Sequence, residues 1–300
     1  MIYGLNDISS RESFILCDSS ITSIAGYDTF DFLGPACGYN ELNLQELERS
    51  INCVHAVGSF LRRTHINVVP EVKKELKNLV YKVERKKNEF DVHKKSVIRS
   101  RRSHNFKFVN EFENIETVEE ILFNEWYELT VAMFSEVCKS VYVPSNQAVY
   151  QKCEDLVCLI ENKGKCRKPY KYLDCSENGL ATDEKIIATA LYRSFFENKS
   201  TAIVTGDDDF NAIFGNGIKH IFSKDIAFNT FFLEHFIFFP VNLYFIENGV
   251  CGMISRWDLI GGTELAPSFN LVNNPVENAE VKCRVDDIMR TLLGYTKNSN

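Results

Sequence analysis

Five carboxylates, Asp18, Glu75, Asp183, Asp207 and Asp209, recur where an apolar strand gives way to a helix, with no His or Cys beside them in a ligand spacing. Asp183 stands in the first turn of an apolar helix. At about 100° per residue, Ile187 and Ala190 fall within about 40° of it, so the acid starts the stripe that Ile187, Ala190 and Leu191 bury. Ala202-Ile203-Val204 has the unbroken apolar character of a strand covered on both faces. Beyond it, the period of two puts Thr205, Asp207 and Asp209 on one side. Asp18 closes the short apolar run Phe14-Ile15-Leu16-Cys17. Glu75 lies about 60° off Val72, at the rim of the stripe Val72, Leu76, Leu79, Val80 and Val83. Alone, Glu75 reads as a surface residue; it gains meaning only in company. Gathered without a partner, such acids repel one another at large desolvation cost. A divalent ion resolves this, and an oxygen-only donor set suits Mg²⁺ or Mn²⁺. Such ions generate a hydroxide and stabilise the oxyanions of an in-line phosphoryl displacement.

The elements that must position these groups are those of a doubly wound sheet, where carboxyl ends of parallel strands converge. Thr182 is expected to be the N-cap of the Asp183 helix, with Asp183 and Glu184 favoured by the helix dipole. A turn at Asn198-Lys199-Ser200 leads into the strand. Earlier, Leu42 to Leu61 has helical spacing with a break expected near Gly58. Ile66 to Val69 is a strand candidate, and Pro70 opens a helix at N1. Residues 84–175 are expected to form an inserted, mainly helical subdomain led by a basic arm. It holds helices at Val118 to Val137 (core residues Ile121, Leu122, Trp126, Leu129 and Phe134) and at Asn146 to Ile160. Further on, strands are expected at Ile218 to Phe222, Phe236 to Phe239 and Val241 to Ile246. The last pairs with Val250 to Ile254 in a hairpin, and a short helix is expected at Val281 to Leu293. The organisation is thus residues 1–83 and 176–226 as one discontinuous α/β domain, 84–175 as the insertion, and 227–300 as a C-terminal extension with a β-hairpin.

Composition excludes several alternatives. Three hundred residues with 45% apolar content support a sizeable core. The first residues lack a basic n-region and an apolar h-region, so no signal peptide is expected. The most apolar window, Phe228 to Phe245, is broken by Glu234, His235, Pro240 and Asn242, and no membrane association is expected. Ten cysteines without a secretory signal argue for reduced thiols and a cytoplasmic location. Cys153, Cys158, Cys166 and Cys175 lack the paired C-x2-C spacing of structural zinc sites and fit buried thiols better than zinc. No dinucleotide fingerprint, phosphate-binding loop, G-x-S-x-G elbow or H-E-x-x-H motif is present, and Asp18-Ser19-Ser20 lacks the second Asp of a haloacid-dehalogenase-type phosphatase. The net charge of −7 is uneven: Lys73 to Lys107 holds 13 basic and 4 acidic residues, +9, against 21 and 37 elsewhere, −16. An acidic site repels a nucleic-acid backbone, so a basic segment carrying Lys86, Lys87, Arg99, Arg101 and Arg102 could supply affinity.

Taken together, these motifs resemble a PIN-domain nuclease. Asp18-Ser19-Ser20 after the first strand resembles the family's opening acid motif. Val69-Pro70-Glu71-Val72-Lys73-Lys74-Glu75-Leu76 resembles the second, and Asp183-Glu184-Lys185-Ile186-Ile187-Ala188-Thr189-Ala190-Leu191 the third. Val204-Thr205-Gly206-Asp207-Asp208-Asp209-Phe210 is similar to the fourth. The likeness spans roughly residues 10–80 and 176–226. It implies a three-layer α/β/α domain with a central parallel sheet and a Mg²⁺- or Mn²⁺-dependent endoribonuclease acting on structured RNA. Asp18, Glu75, Asp183 and Asp207 would be the metal-site acids, Asp209 a fifth, with Thr205 and Ser19 as supporting polar groups. Two other readings remain open: a catalytically silent RNA-binding or scaffold protein on the same fold, and the toxin of a toxin–antitoxin pair. Oligomeric state is left open.

Overall fold

The structure, a computed structural model, describes residues 3–25, 44–63, 65–104, 118–137, 139–163, 181–207, 210, 238–246, 253–260 and 291. In chain order its elements are β1 (Tyr3–Gly4), α1 (Leu5–Arg11), β2 (Ile15–Cys17), a 3₁₀ turn (Ser19–Ala25), α2 (Leu44–Leu61) and β3 (Ile66–Asn67). There follow α3 (Pro70–His104), α4 (Val118–Val137), α5 (Gln147–Lys163), α6 (Thr182–Phe195), β4 (Thr201–Thr205), β5 (Val241–Ile246) and β6 (Met253–Ile260). Among the described residues no helix is long and apolar enough to cross a membrane.

The strands form one mixed sheet in the order β1-β6-β5-β4-β2-β3. β3, β2, β4 and β5 run parallel, while β6 lies antiparallel to β5 and β1 antiparallel to β6. Parallel strands flanked by helices are buried on both faces, which is why β2 and β4 consist wholly of buried residues. Chain order explains where a site should lie. From β2 the chain moves outward to β3, then returns across β2 to form β4 on the other side. The reversal falls between β2 and β4, where Cys17 pairs with Val204. Ligands of open α/β sheets bind outside the carboxyl ends of the strands at such a reversal.

Most elements fall where the apolar periodicity predicts, and the departures have local causes. α2 passes through Gly58 unbroken; the position is buried, yet a Cβ there would meet nothing within 4 Å. α3 runs unbroken across residues 83 and 84, carrying the basic residues on the same 35-residue helix as Glu75. Val83 and Phe90 extend its buried stripe, and Phe90 stacks on Phe123 of α4 with centroids 4.1 Å apart. In α4 the core face is Phe123, Trp126, Met133, Phe134 and Val137, whereas Ile121, expected inside, is exposed. Helix α4 packs on α2 and α5 packs on α6. After α4 the chain returns to the sheet edge, with Val68 N–H donating to Ser140 O at 3.0 Å and Tyr142 N–H to Val68 O at 2.9 Å. Val68, Val83, Phe90, Phe123, Trp126, Met133, Phe134 and Val137 share one apolar core with β2 and β4. β5 and β6 extend the same sheet, and Phe238 is helical rather than part of a strand. Expected elements at 218–222 and 281–290 lie outside the described residues.

Helix α6 is buried on almost every side, not on one stripe, because it is packed against α5, the sheet and the first turn of α3. Its first helical residue is Thr182, preceded by Ala181 as N-cap with no side-chain cap bond. Thr182 is therefore not the cap, and its hydroxyl is used elsewhere. At the other end Asn198 takes a left-handed φ of 51°, and Lys199 N–H donates to Arg193 O at 3.1 Å, turning the chain into β4. Asn146 caps α5 by accepting Val149 N–H at 3.2 Å.

A carboxylate and hydroxyl cluster at the ends of strands β2 and β4

Asp18 emerges from β2 directly beside β4, its own N–H donating to Val204 O at 3.1 Å. Its side chain is 3% exposed. Ser19 N–H donates to Oδ1 at 2.6 Å, and Ser20 N–H to Oδ2 at 3.2 Å. Hydroxyls complete the shell: Ser20 Oγ donates to Oδ2, and Thr205 Oγ1 donates to the same oxygen at 3.1 Å. The 3₁₀ turn after β2 turns both N–H groups of Ser19 and Ser20 back onto the carboxylate. Burial raises the Asp18 carboxyl above the ordinary value of 3.8, and the bonds from Ser20, Ser19 and Thr205 pull it partly back down. No protein cation contacts it among the described residues.

The cluster extends through hydroxyls to the other segments. Ser19 Oγ donates to Glu75 Oε2 at 2.7 Å, and Thr182 Oγ1 donates to Glu75 Oε1. Thus Glu75, on the second turn of α3, is tied both to the β2 end and to the first residue of α6. On the β4 side, Gly206 N–H donates to Ser20 Oγ at 2.8 Å and Asp207 N–H to Thr205 Oγ1 at 3.0 Å. One continuous chain of bonds therefore runs Thr182, Glu75, Ser19, Asp18, Ser20 or Thr205, and the backbone of Gly206 and Asp207.

Of the sequence-predicted acids, Asp18 and Glu75 are brought together across Ser19. Asp183 is buried next to Thr182, and Asp207 follows the Thr205 anchor half-buried. Asp209 lies outside the described residues. Among the described residues no group of three or more His, Cys, Asp or Glu side chains is placed to hold a metal ion. Ser19 and Thr205 stand in the cluster as expected. Lys86 and Lys87 are turned to other partners: Lys86 Nζ lies 3.6 Å from Glu89, and Lys87 Nζ lies 4.2 Å over the Tyr127 ring. Arg99, Arg101 and Arg102 belong to α3, but their side chains lie outside the described residues. Cys153 is fully buried, and burial pushes its thiol well above the ordinary range, so it is held as a neutral thiol. The side chains of Cys158, Cys166 and Cys175 are outside the described residues.

Two participants in the cluster, Ser20 and Thr182, escaped the sequence reading, as did one buried acid on α6, Glu184. Ser20 was visible only as the second residue after Asp18. Thr182 carried a cap signal, which its actual place inside the helix overrides. Glu184 is 1% exposed, with Oε2 lacking any hydrogen-bond partner; nothing in its sequence context sets it apart from an ordinary first-turn acid. A separate polar group sits near the start of β4. Arg193 donates to Thr201 Oγ1 at 3.0 Å and to Glu197 at 2.8 Å, and its guanidinium lies 3.4 Å from the Phe14 ring centroid. That group joins α6 to the sheet and is structural.

No protein-family model, curated protein or solved structure matches this chain significantly.

Proposed function

We propose that this chain is a Mg²⁺- or Mn²⁺-dependent endoribonuclease of PIN-like fold, hydrolysing RNA phosphodiester bonds at the carboxyl ends of β2 and β4. The observation that carries the reading is Asp18: a buried carboxylate at the sheet's reversal point, hydrogen-bonded through Ser19 to Glu75, with only neutral donors around it. A buried anion without a cation is costly, and its pairing with a divalent ion relieves that cost. The donor chemistry fits, since the cluster offers carboxylate and hydroxyl oxygens and no sulfur or imidazole. Asp18 and Glu75 would hold the ion, with Asp183 and Asp207 contributed by the adjoining segments. A bound ion supplies Lewis-acid stabilisation to the phosphoryl oxygens and acidifies water. Ser20 and Thr205 fix the Asp18 carboxylate, and Ser19 and Thr182 fix that of Glu75.

A second reading, a non-catalytic RNA-binding or scaffold protein on the same fold, is favoured by one fact: no three acids among the described residues stand ready around a common point. The two readings part in a single experiment. Labelled RNA is incubated with Mn²⁺ and the wild type, Asp18→Asn, Asp183→Asn or Asp207→Asn, and thermal unfolding is followed with and without Mn²⁺. The nuclease reading expects cleavage by wild type only, and a Mn²⁺-dependent rise in Tm that Asp18→Asn abolishes. RNA binding by all four proteins, with neither cleavage nor a Mn²⁺ effect on Tm, overturns it in favour of the scaffold.

A further inference from the structure

Helix α3 continues the cluster outward along the molecular surface. Its buried side is set by Val72, Leu76, Val83 and Phe90. Opposite them, Lys74, Lys77, Tyr81, Arg85, Asn88 and Val92 fall within about 40° of one another's mean direction on the helix. All six are exposed. Tyr81 is 69% exposed and Val92 66% exposed, so two large apolar side chains stand in water on a line otherwise made of cations and an amide. Lys74 and Lys77 have no ion-pair partner among the described residues. Among the described residues Arg85 is paired only with Glu89, at 3.4 Å, in a solvent-exposed contact that a phosphate can displace. Glu84, Glu89 and Asp91 lie along the edges of the line and none falls within it. The line begins at Lys74, next to Glu75, and reaches about 27 Å along the helix at 1.5 Å per residue.

We infer that this face of α3, and not the inward-turned Lys86 and Lys87, is the surface that takes single-stranded RNA. The inference rests on the proposed RNA-directed function and names the surface that serves it. Three cations, Lys74, Lys77 and Arg85, spaced over about three turns, can each meet a phosphate, and the exposed tyrosine between them offers a ring on which a base stacks. The line starts one residue before Glu75, about 100° round the helix from it, so its first turn lies alongside the carboxylate cluster rather than across the molecule.

The test uses the full chain and a 5′-labelled single-stranded oligoribonucleotide in EDTA, with anisotropy measured over a salt series. Lys74→Ala/Lys77→Ala should shallow the slope of log K against log salt by about 1.4, at about 0.7 per phosphate contact. Tyr81→Ala should weaken binding roughly 5- to 150-fold, the loss of one stacked base. Lys152→Ala, on α5, should bind as wild type. Mn²⁺-dependent cleavage is measured in parallel. Cleavage by wild type, with variants that bind and cleave as well, overturns the surface and leaves the nuclease reading intact. Stripe-dependent binding without cleavage supports the surface and overturns the nuclease. Absence of RNA binding overturns the surface and points to an acidic protein as its occupant.

Discussion

Replacing Thr205 by Val removes one hydroxyl and little else. The residue is fully buried, and Val has nearly the same shape, so no sizeable cavity opens. The donation to Asp18 Oδ2 at 3.1 Å and the acceptance of Asp207 N–H at 3.0 Å disappear, and with them the 3.1 Å contact with Ser20 Oγ. A bond to an ionised group contributes about 1.5–3 kcal/mol, and a stranded N–H costs about 1–3 kcal/mol. Asp207 is only half-buried, so water recovers much of the second contribution. The expected loss is about 2–4 kcal/mol. For a 300-residue chain the unfolding entropy is roughly 0.6 kcal/mol/K, so Tm should fall by roughly 3–6 °C. Thr205→Ser keeps the hydroxyl and loses a buried methyl, at about 1 kcal/mol, or roughly 2 °C. Calorimetry on the three proteins decides the matter. A Val variant as stable as the Ser variant would show that the hydroxyl does not anchor the β2 and β4 ends, and the reasoning behind the cluster would fail with it.

Arg193→Met should destabilise by about 1.5–3 kcal/mol in urea unfolding, because it removes the charged partner of the part-buried Glu197, which keeps its bond from the Tyr142 hydroxyl, and takes the donor from Thr201 Oγ1; a loss below about 1 kcal/mol would mean that the pair is screened. Thr182→Val should cost no helix cap but about 1–3 kcal/mol for the lost bond to the half-buried Glu75 carboxylate, and should reduce the Mn²⁺-dependent rise in Tm through Glu75. Equal Mn²⁺ responses in the two proteins would remove Thr182 from the cluster. Burial raises the Glu154 carboxyl above its ordinary 4.5, only partly offset by Lys185 and Tyr150. A raised folded-state value means that the contribution to stability is fully present below about 4.5 and is lost as pH rises through the folded value. Wild type should therefore lose stability relative to Glu154→Gln across that rise, and a flat difference between their unfolding profiles would contradict it.

What could be read from sequence was periodicity; what could not was the use to which polar side chains are put. The run Ala202 to Val204 announced a doubly covered strand, and β4 lies at the centre of the parallel strands. Pro70 marked the start of α3, because a missing N–H is harmless there. The far end of α3 was hidden because from Leu76 onward its fully buried residues stand seven apart, Leu76, Val83 and Phe90, among crowded charges. That seven-residue spacing was the available signal. Ile121 turned outward and Phe123 inward because the apolar positions of α4 fit more than one face, and only the partner helices choose between them. Thr182 misled for a physical reason: a hydroxyl beside a helix start can satisfy its own N–H groups or a neighbour's carboxylate, and local sequence does not contain the neighbour. For Asp18 and Glu75, spacing gave the residues and the sheet order gave the meeting point. The hydroxyl of Ser19 that links them is visible only in three dimensions.

The bonding pattern has a direction. Ser19, Ser20, Thr182 and Thr205 each contribute one hydroxyl, and every one donates its proton to a carboxylate oxygen of Asp18 or Glu75. Two backbone N–H groups do the same. Such a shell stabilises anions, since a protonated carboxyl on either residue would bring donor against donor. Burial of Asp18 acts in the opposite sense, favouring the neutral form. The fold thus fixes oxygen-rich geometry around a charge that it does not itself neutralise within the described residues. A purely structural role is better served by an amide or by a lysine or arginine partner, the solution the same protein adopts at Arg193 and Glu197 and at Lys185 and Glu71, both pairs at 2.8 Å. The same protein sets cations against its part-buried acids Glu197 and Glu71 and leaves Asp18 and Glu75, at the sheet's reversal point, to neutral donors; that difference marks the second pair as the one prepared for a cation from outside.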